Sequence, residues 1–205
     1  MIFNSLLGGF ISLVIGYLLG SLPSGYLAAR WLANIDLREK GSGSTGATNV
    51  LRQVGKGPAL AVFLIDVGKG TAAVLLAHAL QLGDSWQVAA GLAALVGHIW
   101  PIWLGWKGGK AVATGLGMLL GLSWPVGLAC LGIFLTVLSF SRIVSLSSII
   151  AALSLPLLMI LHFQGNSPPA YLAVAFVAMA MVVWRHRSNL QRLLAGTEPR
   201  LGQSR

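Results

Sequence analysis

From position 41 to 52 the chain reads Gly-Ser-Gly-Ser-Thr-Gly-Ala-Thr-Asn-Val-Leu-Arg, and seven of the first nine residues are Gly, Ser or Thr. Gly41, Gly43 and Gly46 let successive backbone N–H groups turn inward as a nest. Ser42 and Thr48 add hydroxyl donors, and Arg52 supplies a guanidinium. Together these are the parts needed to hold a phosphate or another oxyanion at the mouth of a helix. A flexible Gly/Ser connector is the alternative. The cradle is the better reading, because a linker has no use for Asn49 and Arg52 where a helix begins.

A second loop has the same character: Trp106-Lys107-Gly108-Gly109-Lys110-Ala111 sets two ammonium groups around a glycine pair just ahead of an apolar run. It is not a Walker A loop, because Leu104 and Ala111 stand where that motif requires Gly and Ser or Thr around Lys110. Lys69 fails the same test, with Phe63 at the required Gly position. Nucleotide hydrolysis thereby loses its main support. Two further segments join cations to polar groups: Arg142-Ile143-Val144-Ser145-Leu146-Ser147-Ser148, and Arg185-His186-Arg187-Ser188-Asn189. On a helix His186 and Asn189 share one face at i and i+3. Taken singly, the serines read equally well as helix caps and the arginines as lipid anchors. Four such segments on one side of a bundle are harder to dismiss.

Composition says what positions them. Of 205 residues, 56% are hydrophobic and 9% charged, where a soluble domain carries roughly 25% charged residues. Lys and Arg number 14 against 5 Asp and Glu, for a net charge of +9, and the mean hydropathy is +0.79. A water-soluble globule of this make-up would expose much of its apolar content, so the chain reads as an all-α polytopic membrane protein. Residues 1–29, 85–106, 111–141 and 143–184 contain no Asp, Glu, Lys or Arg. About 20 apolar residues cross a bilayer once. The run 111–141 is therefore two helices, broken at Ser123-Trp124-Pro125, where proline lacks a donor and disturbs the preceding turn. The run 143–184 breaks likewise between Gln164 and Pro169, and Pro58 to Leu82 forms another span despite Asp66 and Lys69. The expected count is seven transmembrane helices. No basic residue precedes the first apolar run, which is therefore read as a retained helix and not a signal peptide.

Thirteen of the 14 cations, all but Lys69, then fall in alternate loops and the tail, from Arg30 to Arg205, while the loops near 83–85, 123–125 and 164–169 hold none. The positive-inside rule places the N-terminus outside and the C-terminus in the cytoplasm. Asp66 and Lys69 lie i, i+3 within a span, where ionisable groups are expensive, and an ion pair fixing helix packing is favoured over ligand contact. His98 lies deeper than His78 and His162, which read as interfacial. The single Cys130 excludes a disulfide framework and reads as a packing residue. His and acidic residues never pair at metal-ligand spacing on the cytoplasmic side, so neither a metal nor a cofactor is expected. The tail, 197–205, is expected to be disordered.

The segments GSGSTGATNVLR, GHIWPIWLGWKGGKAVAT, SRIVSLSS and RHRSNLQRLLAGTE resemble, in order and spacing over nearly the whole chain, the successive motifs of the acyl-phosphate-dependent glycerol-3-phosphate acyltransferase family, the PlsY type. The resemblance implies one integral membrane acyltransferase domain over 1–205, with seven helices. It also implies transfer of a fatty acyl group from acyl phosphate to glycerol 3-phosphate, giving lysophosphatidic acid and phosphate, as the first step of phospholipid synthesis. A bacterial-type cytoplasmic (inner) membrane with the active face inward goes with it. Ser42, Thr48, Asn49 and Arg52 match the first motif, Lys107 and Lys110 the second, Ser145 and Ser147 the third, and His186 with Asn189 the last. At Ser44-Thr45 this chain departs from the Asn-Pro common in the family; the glycines are kept and hydroxyls are added.

The implied partners are acyl phosphate, glycerol 3-phosphate and the lipid bilayer, with no nucleic acid. Acyl phosphate already carries a good leaving group, so the protein need only place the glycerol hydroxyl, help its deprotonation and stabilise developing charge. The expected catalytic residues are His186, Asn189, Lys110 and Ser42. Substrate binding is expected from Gly41, Gly43, Gly46, Thr48, Asn49, Arg52, Lys107, Arg142, Ser145 and Ser147. The base is left open between His186 and a substrate phosphate oxygen. The His-x-x-x-x-Asp signature of other glycerolipid acyltransferases is absent, since Gly83 stands five residues after His78. A transporter or exchanger of anionic solutes is the rival reading, disfavoured by short, nearly uncharged outer loops. A small packing protein is the third, disfavoured by the four polar segments.

Overall fold

The computed structural model describes residues 2–203, with the side chains of residues 6–203, and all regular structure among them is helical. The chain divides at Leu122/Ser123 into two compact units.

The first unit contains α1 (Ile2–Ser21), α2 (Ser24–Ala33), α3 (Ala47–Gln53), α4 (Lys56–Ala79), α5 (Asp84–Ile99) and α6 (Val112–Leu122), with a 3-10 turn at Ile102–Leu104. The uncharged run 1–29 is not one helix, as the sequence suggested. Pro23, with φ −89° and ψ 58°, separates α1 from α2, because its ring removes a donor and clashes with a continuing helix. The α1 helix packs on α4 and α5, and α4 also packs on α3, α5 and α6. These contacts are backbone to backbone: a Cβ on Gly20 would lie 2.0 Å from the Ala94 carbonyl, and one on Gly117 would lie 1.9 Å from that of Val67. Small residues allow such approach between helices in lipid, where dispersion and interhelical hydrogen bonds replace the hydrophobic effect. Thr71 Oγ1 accordingly donates to Gly117 O at 2.8 Å. Ala73, Val74, Ala77, Ala90 and Ala94 are fully buried, whereas Leu60, Leu64 and Leu75 point outward.

The second unit contains α7 (Trp124–Ser141), α8 (Val144–His162), α9 (Pro169–Arg185) and α10 (Arg187–Leu194), with α8 packed between α7 and α9. Its breaks fall where the uncharged runs were divided. Pro125 and Pro169 sit in the first turns of α7 and α9, where a missing N–H costs nothing. Between α9 and α10 the chain bends by 60°.

Among the described residues, five helices are long and apolar enough to cross a membrane, with Leu6–Ala33 taken as one, or six if α9 and α10 form one bent span. The α6 helix, at 11 residues, rises only about 16 Å, against a hydrocarbon core of about 30 Å. The tail departs from expectation. Glu198 is buried and Leu201 N donates to Arg142 O at 2.7 Å, so the segment is tied to the loop ahead of α8. Arg205 lies outside the described residues.

Candidate functional site

The loop from 34 to 46 is built around one side chain. Asn49, 2% exposed in α3, turns its Nδ2 to the carbonyls of Leu37, Lys40 and Ser44 at 3.2, 3.0 and 2.9 Å, and its Oδ1 accepts from Ser42 N at 3.3 Å. Three carbonyls thus converge on one amide, the Lys40 carbonyl also accepting from Gly43 N at 3.1 Å, which winds the chain into a cradle. Gly41 and Gly43 have φ of 60° and 69°, a region where L side chains are strained. Ser42, Gly43 and Arg52 are exposed, Thr48 is half-buried, and Gly46 caps α3 in an extended conformation. Asn49 was expected at the substrate; its amide is engaged in shaping the loop that carries the other residues.

The second cationic loop reaches the first. Arg38 Nη1 donates to Leu104 O at 3.3 Å, its guanidinium pairs with Asp36, and it lies 5.1 Å from the centre of the Tyr26 ring. Hydrogen bonding from Arg38 outweighs partial burial and holds the Asp36 carboxyl down at about 2. Ser24, Thr45, His98 and Pro101 line one hollow. Lys107 is exposed, and Lys110 is half-buried just ahead of Ala111, whose φ is 58°. Thr45 of the first loop thus shares a hollow with His98, whose carbonyl accepts from Gly109 N of the second at 3.1 Å. Asp66 and Lys69 do pair, Nζ to Oδ1 at 2.8 Å, and His98 joins them with Nδ1 2.8 Å from Nζ.

In the second unit the loop ahead of α8 meets the segment after α10. Glu198 accepts from Ser145 Oγ at 2.7 Å, from Asn189 Nδ2, and from Arg192 Nε at 2.7 Å. Burial raises its pKa, but the bonds from Ser145, Asn189 and Arg192 prevail, so the carboxyl is held below the usual range. Sequence reasoning passed over Glu198 as part of the tail, although it falls at the end of the fourth quoted motif. His186, 3% exposed, places Nδ1 2.8 Å from Val182 O. A carbonyl only accepts, so Nδ1 carries the proton, and in the neutral ring Nε2 is the accepting nitrogen. Ser147 Oγ donates to the carbonyl of Ile143, the residue that precedes α8, at 2.9 Å. Arg142 is exposed, with φ 58°, at the end of α7. The Arg185 and Arg187 guanidinium carbons lie 5.6 and 5.0 Å from the centre of the Trp184 ring, within reach of a cation–π contact. Among the described residues no three His, Cys, Asp or Glu side chains gather as metal ligands.

Comparison with known proteins places this architecture. Residues 10–196 match the family model described as glycerol-3-phosphate acyltransferase. A glycerol-3-phosphate acyltransferase of Prochlorococcus marinus strain MIT 9313 is 90% identical over 202 residues, covering 98% of this chain and 99% of that one. One from Synechococcus sp. strain CC9902 is 70% identical over 198 residues, covering 97% and 98%. The crystal structure of PlsY (YgiH), an integral membrane glycerol 3-phosphate acyltransferase, in its glycerol 3-phosphate form, is similar with a TM-score of 0.88 at 38% identity, over 95% of this chain and 96% of that one. Its lysophosphatidic acid form gives 0.85 at 37%, over 95% of each chain. This chain belongs to the glycerol-3-phosphate acyltransferase family.

Proposed function

We propose that this protein transfers a fatty acyl group from acyl phosphate to the hydroxyl of glycerol 3-phosphate, releasing lysophosphatidic acid and inorganic phosphate. The observation that carries the reading is the match to the acyltransferase family across residues 10–196, which includes all four cationic segments. The bond formed joins the glycerol oxygen to the acyl carbon. The bond broken joins that carbon to the phosphate oxygen, and the hydroxyl proton leaves with a base.

The chemistry of each residue suggests its part. Gly41, Ser42, Gly43, Gly46 and Thr48 offer backbone and hydroxyl donors to phosphate, with Asn49 holding their loop in shape. Arg52, Lys107, Lys110 and Arg142 bring charge to the anions. Ser145 and Ser147 line the head of α8. His186 and Asn189 orient the glycerol hydroxyl, and His186 Nε2, as an acceptor, suits the base; a phosphate oxygen with a second pKa of about 6 is the other acceptor. No side chain becomes acylated. The chain acts as one domain over 1–205, spans the cytoplasmic membrane of a bacterium seven times with α6 as a short span, and keeps its N-terminus outside and its C-terminus and cationic loops in the cytoplasm.

Purified protein in vesicles, given acyl phosphate and labelled glycerol 3-phosphate, tests this. Label appearing in lysophosphatidic acid supports transfer. Label accumulating unchanged inside the vesicles identifies a transporter instead.

A further inference from the structure

Three ionisable side chains meet within the helices of the first unit, away from the exposed cations. Asp66, Lys69 and His98 are 1%, 5% and 7% exposed. Besides Asp66 and His98, Lys69 Nζ reaches the Leu22 carbonyl at 3.2 Å, and Asp66 Oδ1 also accepts from Ser24 Oγ at 2.7 Å. An ammonium has three N–H donors and no acceptor. Its three partners saturate it, so His98 Nδ1 accepts and the ring proton stands on Nε2.

This cluster touches the second cationic loop and adjoins the segment that packs on the first. Gly109 N and Gly108 N donate to the carbonyls of His98 and Ile99 at 3.1 Å each. A Cβ on Gly109 would lie 2.1 Å from His98 Nε2. The imidazole is thus the floor on which the glycine pair rests, one residue before Lys110. On the other side, Leu22 and Ser24 lead into Gly25, where a Cβ would lie 1.9 Å from the Thr45 carbonyl. Buried charges in a membrane protein are costly, and an apolar core of equal volume is often as stable or more so. A cluster that binds the chain break after α1, two helices and the second loop is instead suited to fixing geometry.

We infer that Asp66, Lys69 and His98 form a positioning triad for the transfer reaction: Lys69 fixes the His98 ring, the ring fixes Gly109, and Gly109 fixes the direction from which Lys110 meets phosphate. The inference rests on the acyl transfer proposed above. The triad acts through the loops, without touching substrate.

A double-mutant cycle between positions 98 and 109, run on the full chain in vesicles with acyl phosphate and glycerol 3-phosphate, tests it. Gly109→Ala should raise the KM for glycerol 3-phosphate about tenfold to a hundredfold, with kcat changed less and the thermal midpoint near that of the wild type. His98→Ala should act in the same direction. The double variant should be no worse than His98→Ala alone, because the added methyl enters space the ring has left. His98→Gln, whose Oε1 can accept from Lys69, should retain more affinity than His98→Ala and guards against a variant that fails to fold. Losses that multiply in the double variant, or a fall in thermal midpoint with KM unchanged, would overturn the inference. The wild-type rate in the same vesicles tests the transfer reading separately, and the thermal shift induced by glycerol 3-phosphate reads the cycle without turnover.

Discussion

Asn189 Nδ2 donates to Glu198 Oε1, and the same oxygen accepts from Ser145 Oγ at 2.7 Å. Two residues expected to face substrate are therefore held by one buried acid, itself paired with Arg192. Glu198→Gln should lower stability by about 2 to 3 kcal/mol at neutral pH, since an ionised acceptor is lost from a buried cluster. The folded carboxyl is held below its usual range. Its contribution is therefore present above the unfolded value of about 4.3 and is lost as pH falls through the folded value. Thermal melts from pH 7 down to 3 check both points: the wild type should lose stability more steeply in the acid limb than Glu198→Gln. Parallel pH profiles would contradict this role.

Asn49→Asp keeps the size of the side chain but removes both amide donors and turns a carboxylate toward the carbonyls of Leu37, Lys40 and Ser44. The loop should loosen at a cost of about 2 to 4 kcal/mol. Limited proteolysis should then cut within 37–46, where the wild type resists. An uncut loop in Asn49→Asp would show that the amide is not what holds it.

Arg52→Ala should lower kcat/KM by an amount equivalent to about 1.5 to 3 kcal/mol, the worth of a charge-assisted contact to an oxyanion. Arg52→Lys should recover only part, because an ammonium lacks the bidentate fork. Ser42→Ala should lose about 100- to 1,000-fold yet keep residual turnover, as a donor would and a nucleophile would not. Steady-state kinetics decides the first comparison. Label from acyl phosphate trapped on Ser42 would defeat direct transfer.

Reporter fusions at Asp84 and Leu201 should report opposite sides of the membrane. Asp84 opens α5 beside a loop without Lys or Arg, and Leu201 follows the arginine-rich segment. The same side for both would contradict an outward N-terminus with seven spans.

Much of this was legible because lipid imposes a simple rule on sequence. Uncharged runs marked the long helices other than α4, which was read despite Asp66 and Lys69, and the prolines at 125 and 169 marked breaks between helices. Pro23 was passed over because it lies inside an uncharged run that was read as one retained helix. The short helix α2 went unread, and α3 and α10 were read only as helical ground for Asn49, Arg52 and Asn189 without bounds, as seven to ten residues give too little periodicity to be seen. At the site, residue types revealed where cations and glycines gather. They did not reveal who holds whom: the Asn49 amide with its three carbonyls, and Glu198 with Ser145, are pairings that only the folded chain creates. The Asp66 and Lys69 pair was visible from its spacing, but His98, 29 residues beyond Lys69, was not visible as its third member.

The most direct test is the stoichiometry of the reaction itself. Purified wild-type protein in vesicles, supplied with palmitoyl phosphate and glycerol 3-phosphate, should release one inorganic phosphate for each lysophosphatidic acid formed, and should form essentially none when palmitoyl-CoA is the only donor. Efficient product formation from palmitoyl-CoA, or phosphate release without lipid product, would contradict transfer from acyl phosphate.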